Sequence, residues 1–249
     1  MLDLTNLRPA SRLDVSALLR DPQIAAAWGS LEQELGAFEL PDGSGGVNPG
    51  DRRAIFYVVV YLRARAVLEI GTHVGASTIH AAAALGLVEH VGEGSTRLDT
   101  VDVVDVNDSQ GKPWRSYGSA LSPREMIDRL GLDHVARFVV QPSAEYLAAC
   151  RDRYDLIFLD GDHTEDAVYS EIAAATSLLK PAGVILLHDY FPGARPLWSN
   201  GVVCPGPVRA VERHQREGAA LRVLPFGALP WPTKCSSNVT SLAVLVKDG

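Results

Sequence analysis

The chain has 249 residues, a formal net charge of −7, 47% hydrophobic residues and 3 cysteines. That length suits one large α/β domain with extensions, and an acidic balance with no basic, aromatic-interleaved cluster argues against nucleic acid as a partner. Cys150, Cys204 and Cys235 are widely spaced and form no CxxC pair, which argues against a disulfide framework or a zinc site. No basic region followed by a long apolar core opens the sequence, so no signal peptide is expected. The longest apolar run, residues 55–62, is too short to span a bilayer, so no membrane partner and a cytoplasmic setting are expected.

Residues 2–40 carry helical patches at 15–19 and 24–35 and read as N-terminal cap helices. Residues 41–50, rich in Gly, Pro, Ser and Asn, read as a linker. Asp51 is placed to cap a helix running to about Arg63, apolar at Ile55, Val58, Val59 and Leu62. The chain therefore divides into cap helices and linker over 1–50 and a main unit over 51–249.

The main unit opens on a short apolar run, Ala66 to Ile70, that turns on Gly71 and Gly75 and becomes an alanine-rich helix ending near Leu85. Gly71 allows a sharp turn and a close approach to a ligand. The N–H groups opening the helix suit a carboxylate or another anionic group. Glu69 ends the strand with an acceptor for an ammonium. An acid beside free N–H donors fits a zwitterion better than a pyrophosphate.

A second strand follows over 99–106, then a long irregular segment, 107–121, whose Trp114, Arg115 and Tyr117 make it a candidate lid. Ser122-Pro123 starts a helix to about Leu130. Residues 135–140 form a third strand, and Ser143 is placed to cap a short helix to Cys150. The fourth strand, 154–160, is apolar enough to be buried on both faces. Thr164 is placed to cap the next helix, with Glu165 and Asp166 in its first turn and Lys180 at its end. A fifth strand, 184–187, ends in His188-Asp189-Tyr190. A second irregular stretch, 191–207, leads to a helix over 208–216 and closing strands at 221–226 and 242–247.

Strands alternating with helices imply a doubly wound parallel sheet, whose ligands sit beyond the carboxyl ends of the strands. The ends to inspect are Glu69 to Gly75, Asp102 or Asp105, Gln141 to Ser143, Asp160 to His163 and His188 to Tyr190. Four of those five carry carboxylates.

Taken in order, Leu68-Glu69-Ile70-Gly71-Thr72-His73-Val74-Gly75, the acidic end of strand two, Tyr154 to His163 and Leu178 to Val184 resemble the class I S-adenosylmethionine-dependent methyltransferases over about residues 51–187. The resemblance implies a Rossmann-like, seven-stranded sheet, mostly parallel with the last strand antiparallel, and S-adenosylmethionine as cofactor. It places the cofactor on Glu69, Gly71, Thr72, Gly75, Ser77, Asp102, Ser143 and Asp160. Glu69 would face the methionine ammonium, and Asp102, with Asp105 as rival, the ribose hydroxyls. Ser143 either contacts adenine or only caps its helix. Asp162 is either a supporting acid or simply solvated.

His73 stands where the family usually has a third glycine. The shorter pattern Glu-Ile-Gly-Thr-x-x-Gly-x-Ser is more similar to the catechol and caffeoyl-coenzyme A O-methyltransferases and to antibiotic-tailoring methyltransferases. That implies a small-molecule hydroxyl as methyl acceptor, in secondary metabolism. That branch holds a magnesium-type ion through acids that fall on Asp160 and Asp189, with an amide at the position of Tyr190. Tyr190 departs from the pattern, so either no metal binds or the third ligand is Asp162, His188 or water. The branch's catalytic lysine falls on His163, a candidate general base beside Asp160. His188 reads as ligand, base or packing; Trp114, Tyr117, Phe191 and Trp198 either line an acceptor pocket or pin their loops. Cys204 reads as an unreactive thiol. A metal-free methyltransferase is the nearest rival, followed by a nicotinamide-dependent oxidoreductase, which His73 and Glu69 disfavour, and a binding protein without catalysis. N-terminal cap helices also suit pairing into a homo-oligomer.

Overall fold

The structure, a computed structural model, describes residues 13–42, 46–92 and 94–247. The cap reading over 2–12 and residues 43–45 of the linker lie outside the described residues. Helices α1 (Val15–Leu19) and α2 (Pro22–Gly36) are capped by Asp14 and Asp21, whose carboxylates accept N–H groups of the first turn. Helix α3 spans Pro49–Leu62. Its N-cap is Asn48, not Asp51; a proline at the first helical position shifts the start three residues earlier than expected.

Strand β1 (Ala66–Ile70) is buried throughout and leads into α4 (Ala76–Val91), which runs six residues beyond Leu85. Strand β2 (Arg97–Asp102) stops four residues short of the sequence reading, because Asp102 turns back to accept Val104 N–H. A short helix α5 (Pro113–Ser116) lies inside the irregular segment. Helix α6 (Pro123–Arg129) opens on a full Ser122–Glu125 capping box. Strand β3 (Ala136–Val140), α7 (Ser143–Ala149), β4 (Tyr154–Leu159) and α8 (Glu165–Leu178) follow. Strand β5 covers Leu179–Leu187, so Lys180 belongs to the strand, where its ammonium meets Asp155 at 2.9 Å. A 3-10 turn at Pro192–Ala194, α9 (Gly206–Arg216), β6 (Leu221–Pro225) and β7 (Ala243–Lys247) complete the chain.

The seven strands form one sheet in the order β3-β2-β1-β4-β5-β7-β6, with β7 antiparallel to both its neighbours and the other pairings parallel. The central strands are apolar on both faces, and the alternation of a strand deals them to two layers. Val67, Leu156, Phe158, Val184 and Leu186 pack with α3, α4 and the cap helices; Leu68, Ile70, Ile157, Leu159, Ile185 and Leu187 pack with α7, α8 and α9. The order reverses between β1 and β4, and the crevice opens at their carboxyl ends. The cap helices share the first core layer: Trp28 packs on Phe56 and His80, with ring centroids at 5.4 and 5.8 Å.

Candidate active site

The glycine loop is fixed by close backbone contact. Gly71 holds φ +96°, and a Cβ there would lie 2.1 Å from the Asp160 carbonyl oxygen. Only glycine lets the ends of β1 and β4 meet in this way. Gly75, at φ +77°, is the N-cap of α4 and offers no side-chain cap, so the first N–H groups of that helix are left for a ligand. His73 adopts φ +49°, the left-handed conformation that glycine takes most readily. Its ring lies 4.2 Å from that of Tyr117, so the 107–121 segment folds back over the loop.

Behind the loop, Glu69 is 1% exposed. Thr78 and Thr100 each donate to its Oε2 at 2.6 Å, and Thr72 Oγ1 lies 2.6 Å from Thr100 Oγ1. Thr100 spends its proton on Glu69, so Thr72 is the donor in the second bond. Burial pushes Glu69 up to about 7, against the opposing pull of Ser77, Thr100 and Thr78. Its Oε1 is buried without a well-formed hydrogen bond. Of the candidate cofactor residues, Thr72 spends its hydroxyl on Thr100 and Ser77 on Glu69, so both hydroxyls turn inward.

Asp102 lies at the carboxyl end of β2 and accepts the backbone N–H groups of Thr72 and His73 at 3.1 and 2.9 Å. Asp105 is exposed and caps a local turn at Asn107. Of the two rivals, Asp102 faces the glycine loop. Ser143 is not the cap of α7: Pro142 is, and the Ser143 hydroxyl donates to Glu171 Oε1 at 2.6 Å. Glu171, on α8, is 3% exposed, and burial pushes it up to about 7 although Ser143 opposes the shift. The cap role given to Thr164 also fails, since Thr164 occupies the N-cap position without a side-chain bond. Asp162 instead accepts Thr164 N–H at 2.7 Å.

The third group gathers at the ends of β4 and β5. His188 Nδ1 lies 2.9 Å from Asp160 Oδ1 and 3.5 Å from Asp189 Oδ1, while its Nε2 lies 3.3 Å from Asp51 Oδ2. Burial opposes the charged form of His188, but Asp160 and Asp189 raise its pKa well above the ordinary value. Asp51 is fully buried on α3, held by Asn48 Nδ2 at 2.6 Å. His163 Nε2 lies 3.9 Å from Asp160 Oδ1 and 3.7 Å from Asp189 Oδ2, with its side chain 39% exposed. Asp189 adopts φ +53° and accepts from Ser241 at 3.2 Å. Burial works to raise Asp189, but His188 and His163 hold it below the usual carboxylate range. Tyr190 packs into the second core layer, away from this cluster.

The donor set suits a divalent ion. His188 Nδ1, a buried atom without a well-aligned hydrogen bond, has one oxygen of Asp160 at 2.9 Å and one of Asp189 at 3.5 Å. Asp51 behind the far nitrogen is the carboxylate partner that metal-bound histidines commonly carry.

Of the loop aromatics, Trp114, Phe191 and Trp198 are buried anchors, and Tyr117 alone of the four is exposed, at 46%. The sequence reading missed Asp51 and Glu171 as parts of this edge. Neither belongs to a strand end, and only packing of α3 and α8 brings them in.

The sheet order, the single antiparallel strand and the crevice at the β1/β4 reversal define the fold of the S-adenosylmethionine-dependent O-methyltransferases. Residues 68–190 match a methyltransferase domain family. The chain is similar in structure to a cofactor-bound protein from MTB, Rv0187 (21% identity, 97% of this chain and 98% of that one, TM-score 0.59). It is also similar to an O-methyltransferase from Bacillus cereus in complex with SAH (20%, 89% and 91%, TM-score 0.56). A third is TomG, an O-methyltransferase from Streptomyces achromogenes involved in tomaymycin synthesis, in complex with SAM (18%, 92% and 91%, TM-score 0.57). Among the described residues no helix is long and apolar enough to cross a membrane.

Proposed function

We propose that the protein moves a methyl group from S-adenosylmethionine to a hydroxyl of a small molecule, a secondary metabolite by analogy with the tailoring enzymes. The observation that carries this is the convergence of an uncapped helix N-terminus, Asp102, Asp160, His163 and Asp189 on one carboxyl edge of the sheet. The α4 N–H groups take the methionine carboxylate, and Glu69 Oε1, directly or through water, faces its ammonium. Asp102 accepts from the ribose. Val103, 69% exposed beside it, supplies an apolar surface for the adenine.

The methyl donor is already activated, so the protein has to align the acceptor oxygen with the sulfonium methyl and remove its proton. His163 takes that proton at Nε2. Asp160 and Asp189, within 4 Å, stabilise the imidazolium that results. Asp160, Asp189 and His188 would hold a divalent ion, magnesium in the related branch, and such an ion lowers the pKa of a bound hydroxyl. A second reading, transfer without a metal, draws on His188 Nδ1, which already bridges the two carboxylates. Full activity after chelator treatment selects that second reading.

The test is transfer of labelled methyl from S-adenosylmethionine to a panel of phenolic, catecholic and sugar hydroxyls. Label is expected in a methyl ether, and His163→Ala is expected to slow transfer by about 10²- to 10⁴-fold. Full turnover by that variant would remove His163 from the mechanism.

A further inference from the structure

At the catalytic edge, His163 and Asp189 are joined by Cys204, a thiol that the proposed methyl transfer leaves unused. His163, Asp189 and Cys204 each offer one ligand atom, and these atoms all lie within 4.8 Å of one another. The three residues come from the β4–α8 loop, the end of β5 and the segment before α9. Their separation in sequence is why the cysteine spacing gave no sign of a site. We propose that His163 Nε2, Asp189 Oδ2 and Cys204 Sγ form a site for a thiophilic divalent cation of the zinc class, and that its occupancy inhibits the enzyme.

Two independent features place the thiol there. Gly206 packs so tightly against the β4–α8 loop that a Cβ would lie 2.0 Å from the His163 carbonyl oxygen. Cys204, two residues earlier, is thereby held against that loop, with Sγ 3.9 Å from the same oxygen. The second feature is the donor geometry. Zinc binds sulfur at about 2.3 Å and imidazole nitrogen or carboxylate oxygen at about 2.0–2.2 Å, so ligand atoms on one tetrahedral ion lie roughly 3.3–3.8 Å apart. His163 Nε2 and Asp189 Oδ2 already stand at 3.7 Å. Cys204 has to close by about 1 Å, a rotation open to a side chain on an irregular segment outside any helix or strand. A fourth position is left for water.

A sulfur ligand selects soft and borderline ions over magnesium. On binding, the Cys204 thiol gives its proton to solvent and the thiolate pairs with the cation. His163 Nε2 donates its lone pair to the same ion and can no longer take a proton from an acceptor hydroxyl. The inhibitory half of this inference rests on the methyl-transfer reading of His163; the binding half does not.

The probe is cobalt(II), added to the chelator-stripped full chain under a phosphine reductant. One equivalent is expected to give a near-ultraviolet sulfur-to-cobalt charge-transfer band with the visible bands of four-coordinate cobalt. Cys204→Ser should abolish the charge-transfer band, whereas Cys150→Ser and Cys235→Ser keep it. His163→Ala should shift the visible bands. Absence of the band in the wild type, or its survival in Cys204→Ser, overturns the site. In the methyl-transfer assay, the zinc concentration for half inhibition should rise about tenfold or more in Cys204→Ser, each variant compared with its own zinc-free rate. An unchanged value overturns the inhibitory role. A chain that shows the Cys204-dependent band but never transfers methyl keeps the site and loses the function; the converse keeps the function and loses the site.

Discussion

Gly71 shows how one residue sets the site. Its positive φ and its approach to Asp160 leave no space for a side chain. Gly71→Ala is expected to lower stability by at least about 2 kcal/mol, the left-handed penalty plus the clash, read from urea unfolding. A change below about 0.5 kcal/mol, the spread of ordinary surface substitutions, would mean the loop relaxes freely. Asp160→Asn and Asp189→Asn should each cut turnover at least about 100-fold while calorimetric affinity for S-adenosylhomocysteine stays within a few-fold. Lost affinity with intact turnover would reverse the assigned roles. At this scale Glu69, Gly71, Gly75 and Asp160 were legible in the sequence, because glycines and acids at strand ends carry their reason locally. Asp51 and Glu171 were not. Each sits within a helix, and only the packing of α3 and α8 turns it toward the edge.

At the scale of elements, the strands were read more closely than the caps. The apolar runs placed β1, β4 and β7 to within about a residue of their ends, since burial on both faces leaves little choice of register, and the half-exposed β3 was placed as closely. Caps were misplaced at Asp51 and Ser143, where a neighbouring proline or a tertiary partner took over the role, while Thr164 holds the N-cap position without a side-chain bond. The Ser143–Glu171 bond ties α7 to α8, and burial of the Glu171 carboxyl gives the fold a pH dependence. Glu171 and Glu69 each titrate at about 7 instead of 4.5. Between those values the folded chain keeps protons that the unfolded chain has released. Stability is therefore highest below about pH 4.5 as far as these two acids are concerned, and falls as pH rises through 7, by up to about 3 kcal/mol each. Glu171→Gln should flatten that decline in denaturant midpoints between pH 5 and 8. An unchanged decline would show that Glu171 is ionised in the folded chain.

For the whole molecule, the doubly wound class was legible because strand and helix patterns alternate, whereas the strand order β3-β2-β1-β4-β5-β7-β6 came only from the fold. The cap helices join the main core through Trp28, which packs on Phe56. Trp28→Ala is expected to destabilise the entire chain by about 3–5 kcal/mol in one cooperative transition. A separate early transition would mark the cap as an independent unit.

The most direct measurement is a calorimetric titration of the purified chain with S-adenosylhomocysteine. One equivalent of saturable heat, weakened about tenfold or more by Asp102→Ala, is the expected result. A flat titration of the wild-type chain would contradict a nucleoside cofactor at the carboxyl edge of this sheet.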